Sequence, residues 1–347
     1  MHVLVTGASG NIGTALLRAL RGRRVTGLAE RPPAPDPPYD VTWVAADLAD
    51  PYWSAERLAE LVGGVDAVVH LAWAIQPSHH RDLIREINVG SATRVAQACA
   101  MTGVHLVVVS SVGAYQPAPD HAPRDETWPV GELVTSSYSV DKVAVERMLD
   151  RVQRAHPDLR VTRVRPQLVF QRAAASGIER YFLGPAAPAA VLRRQLPVLP
   201  WPSGVRLQAV HADDLATALV AVLDSGATGP FNIAAPDVLG PQDVADQLSG
   251  GRWVAVPHAA VRRAVALAWQ ARAAALEPGW LDLAAGVPVL DAGRARRELG
   301  WRPSRTTRES FAELVAGLAD GAGGTSAALR PRAASARSVV GGQIAER

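Results

Sequence analysis

Three observations predict an α/β fold, a doubly wound parallel sheet with a smaller C-terminal lobe. Short β-branched runs alternate with helix-period segments through the first half of the chain, the pattern of repeated βα units. The first run ends in a glycine-rich turn, Gly7 to Gly13. With 347 residues, 48% hydrophobic and 20% charged, the chain can bury a large core and lies outside the disordered and fibrous classes.

The elements follow in order. His2 to Thr6 is a buried strand, the glycine-rich turn comes next, and a helix runs from Thr14 to about Leu20. Arg24 to Leu28, Thr42 to Ala45, Ala67 to Leu71, Leu106 to Ser110 and Val161 to Val164 are the second to sixth strands. Asp82 to Met101 and Ser137 to about Ala155 carry apolar residues at three- and four-residue spacing and are the longest helices. After Arg165-Pro166 the chain is rich in Pro and Gly, from Gly184 to Gly204, and reads as loops on the substrate side. Leu207 to Val210, the helix Asp213 to Leu223 and the run Phe231 to Ile233 return to the sheet region. This divides the chain into a nucleotide-binding domain over 1–170 with returning segments near 206–235, and a lobe over 171–205 and 236–318. Residues 319–347, poor in apolar side chains, are expected to be a disordered tail.

Composition excludes several classes. No run of about 18 apolar residues is present; the best, Ala259 to Leu276, is broken by Arg262, Arg263 and Arg272. No membrane partner is expected. The strand at His2 leaves no room for a secretory signal, and a single cysteine, Cys99, forms no internal disulfide, so the cytoplasm is the expected compartment. The net charge of +3 comes from arginines scattered among acids, which is a solvated surface and not a nucleic-acid face. His70, His79 and His80 have no Cys or carboxylate at ligand spacing, and no metal is expected. The alanine-rich helix from His258 to Ala275 reads as a lid or as the face of a homodimer.

Two patterns carry chemistry. A strand feeding Gly7-x-x-Gly10-x-x-Gly13 and then a helix places backbone N–H groups and the positive helix end beside a pyrophosphate. A side chain at Gly10 would block the phosphate, and one at Gly13 would push the helix off the strand. At the end of the second strand, Leu28-Ala29-Glu30-Arg31, Ala29 occupies the place of the ribose-binding acid and Glu30 and Arg31 stand just beyond, so NAD and NADP both stay open. Asp47-Leu48, after the third strand, suits an adenine edge or a simple helix cap. The second pattern is Tyr138-Ser139-Val140-Asp141-Lys142. Of 36 basic residues Lys142 is the only lysine, and it stands one helical turn after Tyr138, on the same face. An ammonium there would lower the phenol's pKa and make Tyr138 a usable acid and base. Ser111, at the end of the fifth strand, is placed to orient a substrate oxygen, and Asn88, a poor helix-interior residue, to support something by hydrogen bonding. Trp73, Trp128 and Trp201 are candidates for an apolar pocket.

Taken together the motifs resemble the extended short-chain dehydrogenase/reductase family, also called the NAD-dependent epimerase/dehydratase family. Thr6 to Gly13, His70-Leu71-Ala72, Asn88-Val89, Ser110 to Tyr115, Tyr138 to Lys142, Arg165-Pro166, His211-Ala212-Asp213-Asp214, Phe231-Asn232-Ile233 and Leu299 to Pro303 carry the resemblance. It implies a Rossmann domain, a small-molecule substrate and a catalytic Ser111, Tyr138 and Lys142. It also implies a nicotinamide dinucleotide held by Gly7, Gly10, Asn11, Ile12, Gly13, Glu30, Arg31, Asp47, Leu48, Leu71, Ala72, Asn88, Tyr138, Lys142 and Pro166. Ser111-Val112-Gly113 stands where family dehydratases resemble Thr-Asp-Glu, which disfavours dehydration. Leu207 stands where nucleotide-sugar epimerases present an Arg for the diphosphate. The expectation is hydride transfer to or from a carbonyl or secondary alcohol. The alternatives are a sugar epimerase and a dinucleotide-binding regulator without chemistry.

Overall fold

The computed structural model describes residues 1–33, 40–183 and 196–331. The loop expected within 184–195 and the end of the chain beyond 331 lie outside these residues. Seven parallel strands form the main sheet: β1 (His2–Thr6), β2 (Arg24–Ala29), β3 (Thr42–Ala45), β4 (Ala67–His70), β5 (His105–Val109), β6 (Val161–Pro166) and β10 (Gly229–Ile233). Their order is β10-β6-β5-β4-β1-β2-β3. The chain therefore reverses direction across the sheet between β1 and β4, and such a switch point opens a crevice at the carboxyl ends of the strands.

Alternating side chains explain why the sheet is covered on both faces. Val3 and Val5 of β1 pack on one side with the helices Asn11–Ala19 and Ala212–Ser225. Leu4 packs on the other with Ala55–Val62, Ser91–Thr102 and Ser137–Ala155. All three strand residues are essentially inaccessible, and burial of each aliphatic side chain contributes roughly 1.5–3 kcal/mol. Cys99 lies in the second of these layers, and burial pushes its thiol up to about 12.

Four details differ from the sequence reading. The first helix starts at Asn11, three residues before the expected Thr14, directly after Gly10. The segment read as one helix over Asp82 to Met101 is Arg81–Arg85, a π-helical turn Glu86–Gly90 and Ser91–Thr102. The run expected at Leu207 to Val210 is β9 (Ala209–His211), which pairs with β7 (Leu168–Phe170) in a separate two-stranded sheet and not with the main sheet. A second small sheet joins β8 (Leu199–Pro202) to β11 (Trp253–Val256).

The tail expected over 319–347 is corrected for residues 319–331. The helix Thr307–Asp320 closes a core with Phe170, Leu199, Trp201, Leu239 and Val244. The chain then folds back through residue 331, burying Leu329 to 4% exposure. One leucine with a set of backbone hydrogen bonds anchors a segment whose composition has few apolar residues. Trp301, expected in the lobe, packs into the sheet-side core and donates from Nε1 to the Asp214 carbonyl at 2.8 Å. No helix among the described residues is long and apolar enough to cross a membrane.

Candidate active site

The glycine-rich turn is built by backbone contact. Gly7 has φ +66°, and a Cβ there would lie 2.7 Å from the Ala72 nitrogen. A Cβ at Gly13 would lie 2.4 Å from the Ala8 carbonyl oxygen. Gly7 is glycine because its φ is positive and the backbone after β4 presses on it, and Gly13 because the helix start presses on the turn that leads into it. Gly10 differs: its Cβ would meet only the Gly7 carbonyl oxygen, at 3.2 Å. Among the described residues nothing else stands within 4 Å of that Cβ, and no side chain at the N-cap closes the first N–H groups of the Asn11–Ala19 helix. An open cradle ringed by backbone donors fits a phosphate group. Asn11 and Ile12 sit in that first turn; Asn11 Nδ2 donates to the Val169 carbonyl at 3.0 Å, and Gln171 Nε2 donates to Asn11 Oδ1 at 2.8 Å.

The neighbouring strand end is tied to the same turn. Thr6 Oγ1 accepts from the Leu71 and Ala72 nitrogens, each at 3.2 Å, so its own proton goes to His70 Nδ1 at 2.8 Å. The proton of the neutral imidazole then sits on Nε2, which is buried without a partner among the described residues. Burial first and the Lys142 charge second hold His70 down at about 3. Asn88, on the π-helical turn, accepts from the Ala74 nitrogen at 2.7 Å and donates to its carbonyl at 3.1 Å. It therefore fixes the loop after β4 by a two-way backbone clamp. At the far rim, Glu30 and Arg31 are exposed and lie 3.4 Å apart, and Asp47 accepts from the Ala49 nitrogen at 2.9 Å. Leu48 is buried, as is Pro166 at the end of β6.

Ser111, Tyr138 and Lys142 converge beyond the carboxyl end of β5. Ser136 caps the Ser137–Ala155 helix, and Ser139 Oγ donates to the Gly113 carbonyl at 2.8 Å, which fastens the first turn of the helix to the Val112–Ala114 turn. Gly113 lets the ring of Tyr138 lie alongside, since a Cβ there would be 3.0 Å from Tyr138 Cε1. Ser111 Oγ accepts from the Gly113 nitrogen at 3.0 Å. Burial pushes Tyr138 up to about 12, opposed by a hydrogen bond from Ser111. Lys142 is 4% exposed; its Nζ donates to the Val109 carbonyl at 3.1 Å and lies 3.5 Å from the centroid of Trp73. Burial holds it down at about 7, opposed by the charges of Glu146 and Asp141.

The sequence expectation that Lys142 depresses the phenol's pKa is not met in this arrangement. Nζ is 5.7 Å from the Tyr138 ring centroid, and desolvation favours the neutral form of each group. A buried ion network braces the same helix. Glu146 Oε1 accepts from Ser110 Oγ at 2.7 Å and Arg165 Nε at 2.8 Å, and its Oε2 from Arg163 at 3.1 Å. Arg165 continues to Tyr115 at 3.0 Å, and Tyr115 donates to Asn232 at 2.7 Å.

An aromatic wall faces Tyr138. Trp73 meets it edge-on at 5.8 Å, Trp280 lies at 4.7 Å, and Phe182 meets Trp280 at 4.9 Å. Trp280 reaches this place because Gly279 packs on the Thr135 carbonyl oxygen, 2.2 Å from where a Cβ would stand, and Ser137 donates to Glu277 at 2.7 Å. Of the tryptophans named from sequence, Trp73 lines this wall. Trp201 belongs to the C-terminal core, and Trp128 lies under Arg124. Trp280 and Phe182 were missed; Pro278 marks a helix start, but nothing local pairs residue 280 with residue 138. The position expected of a diphosphate-binding Arg is Leu207, and Arg206 is exposed and donates to the Val205 carbonyl at 3.0 Å. Among the described residues no cluster of three or more His, Cys, Asp and Glu could hold a metal ion.

Comparison with known proteins agrees with this architecture. A ceramide reductase of Caulobacter vibrioides is 27% identical over 336 residues, 92% of this chain and 91% of that protein. An uncharacterized protein of Mycobacterium tuberculosis is 27% identical over 282 residues, 79% and 71% of the two chains. The UDP-glucose 4-epimerase of Thermus thermophilus, solved with NAD, superposes with a TM-score of 0.66 at 24% identity, over 92% of this chain and 99% of that one. The model of the NAD dependent epimerase/dehydratase family matches residues 3–234, the span that holds the glycine-rich turn, Ser111, Tyr138 and Lys142, and the chain belongs to that family.

Proposed function

We propose that the protein is an oxidoreductase that transfers hydride between a nicotinamide dinucleotide and the carbonyl or secondary alcohol of an apolar small molecule. The observation that carries the reading is the convergence of Ser111, Tyr138 and Lys142 beside the glycine-rich turn. Gly10 and the N–H groups of Asn11, Ile12 and Gly13 would hold the pyrophosphate, and Lys142, which spends one of its donors on Val109 among the described residues, would hold the nicotinamide ribose. The dinucleotide supplies or accepts the hydride. The protein's part is the proton: a phenol held up at about 12 keeps its hydrogen at neutral pH and gives it to a carbonyl oxygen that Ser111 orients.

The wall of Trp73, Trp280 and Phe182 supports an apolar substrate, since flat aromatic faces bind hydrocarbon and exclude water. The absence of an arginine at position 207 and the likeness to a ceramide reductase point the same way. The test is a panel of ketones and alcohols, apolar and nucleotide-linked, with NAD and NADP as reduced and oxidised pairs. Net turnover of the dinucleotide with apolar members supports the proposal. Interconversion of sugars without net turnover refutes it.

A further inference from the structure

The end of the described chain returns to the glycine-rich turn. After the helix Thr307–Asp320, residues 321–331 fold back across the short helix Ala175–Ile178 and the turn Glu179–Leu183. Three hydrogen bonds seat this strap from below: Ser176 nitrogen to the Ala322 carbonyl at 3.1 Å, Arg180 Nη2 to the Ala328 carbonyl at 2.8 Å, and Arg180 Nη1 to the Arg330 carbonyl at 2.9 Å. Its own turn is closed by the Leu329 nitrogen on the Ser326 carbonyl at 3.1 Å. Gly323 permits the tight approach, because a Cβ there would stand 2.4 Å from the Leu329 carbonyl oxygen. The tip of the strap is Ser326, 2% exposed, and its hydroxyl donates to the Ser9 carbonyl at 2.7 Å.

Ser9 belongs to the turn between Gly7 and Gly10, so the chain is fastened across 317 residues to the loop read as the phosphate cradle. The strap does not fill that cradle. Among the described residues only the Gly7 carbonyl oxygen, and no atom of the strap, stands within 4 Å of a Cβ built on Gly10. The contact is therefore to the backbone beside Gly10 and not to the space over it.

We infer that residues 321–331 are a clasp of the dinucleotide site, in which Ser326 holds the Ser9–Gly10 backbone in its binding shape and slows release of the dinucleotide. The inference rests on the reading of Gly7 to Gly13 as the phosphate-binding turn. Ser326 is a positioning residue in it, acting through Ser9.

The experiment is stopped-flow release of NADH and NADPH, followed by nicotinamide fluorescence, with melting temperature measured alongside. The proteins are the parent, Ser326→Ala, a chain ending at Asp320, a chain ending at Pro331 and Gly10→Val. The clasp predicts release roughly 2- to 10-fold faster in Ser326→Ala, the worth of one hydrogen bond, at near-parent melting temperature. It predicts a larger acceleration in the chain ending at Asp320 and none in the chain ending at Pro331. Parent-like release from Ser326→Ala, while Gly10→Val abolishes binding, overturns the clasp and leaves the phosphate-turn reading standing. Slower release in the shortened chain also overturns it, since the strap would then compete with the ligand. Undiminished binding by Gly10→Val overturns the phosphate-turn reading and the clasp together. Should the chain ending at Asp320 fail to fold, Ser326→Ala alone decides.

Discussion

Replacing Lys142 by methionine should remove a pH dependence of stability that the parent protein carries between about pH 7 and about pH 10. The lysine is 4% exposed, and burial holds its folded pKa at about 7 against 10.5 for the free side chain. Between these values the unfolded chain binds one proton more than the folded chain, so stability rises with pH through the window. Each pKa unit corresponds to about 1.4 kcal/mol, and the gain from pH 7 to 10 amounts to about 4 kcal/mol. Cys99, whose thiol burial pushes up to about 12 from 9.0, lowers stability above about pH 9, but equally in parent and variant, so it cancels in their difference. His70 and His105, held down at about 3 and about 4, act below the window. Tyr138, pushed up to about 12, lowers stability only above about pH 10. Methionine preserves length and packing without a charge to desolvate. The assay is urea unfolding of both proteins at about pH 7, 8.5 and 10. The parent should gain on the variant's slope by several kcal/mol; parallel pH profiles would show that Lys142 titrates normally in the fold and that its desolvation is not the controlling effect.

Three further outcomes follow from the same geometry. Gly10→Val should lose dinucleotide binding by calorimetry with little change in melting temperature, because its Cβ meets only one backbone atom; parent-like affinity would remove the turn from the site. Glu146→Gln should cost about 3–5 kcal/mol in urea unfolding, since it leaves Arg165 buried beside a neutral amide while Arg163 keeps Asp150 at 2.6 Å; a cost below 1 kcal/mol would show that the network relaxes. Trp280→Ala should raise KM for an apolar ketone roughly 10-fold, equivalent to about 1.4 kcal/mol, with kcat retained; an unchanged KM would place the substrate elsewhere.

What the sequence made legible was whatever has a local cause. The parallel strands are buried on both faces, so Val3-Leu4-Val5 and Leu106-Val107-Val108 read as uninterrupted apolar runs whatever packs against them. The glycine-rich turn was legible because its causes are local: Gly7 takes a positive φ, and Gly13 packs on carbonyl oxygens five and six residues earlier. The spacing of Tyr138 and Lys142 gave their shared helix face but not the state of either group, because the burial that drives Tyr138 up and Lys142 down is supplied by Trp73, Trp280 and the end of β5. Trp280 and the strap at Ser326 were invisible for the same reason. Each reaches the site through contacts with residues more than 140 positions away in the chain, and the strap's few anchoring residues sit in a segment whose composition reads as disordered. The edge between β9 and β7 was misplaced because a short apolar strand carries no mark of which sheet it joins.

The proposal turns on proton transfer by Tyr138, and single-turnover hydride transfer in Tyr138→Phe measures it directly. With dinucleotide and an apolar ketone or alcohol on which the parent is active, loss of the phenol's proton should slow the chemical step by roughly 100- to 10,000-fold while the dinucleotide still binds. A rate near that of the parent would contradict the account.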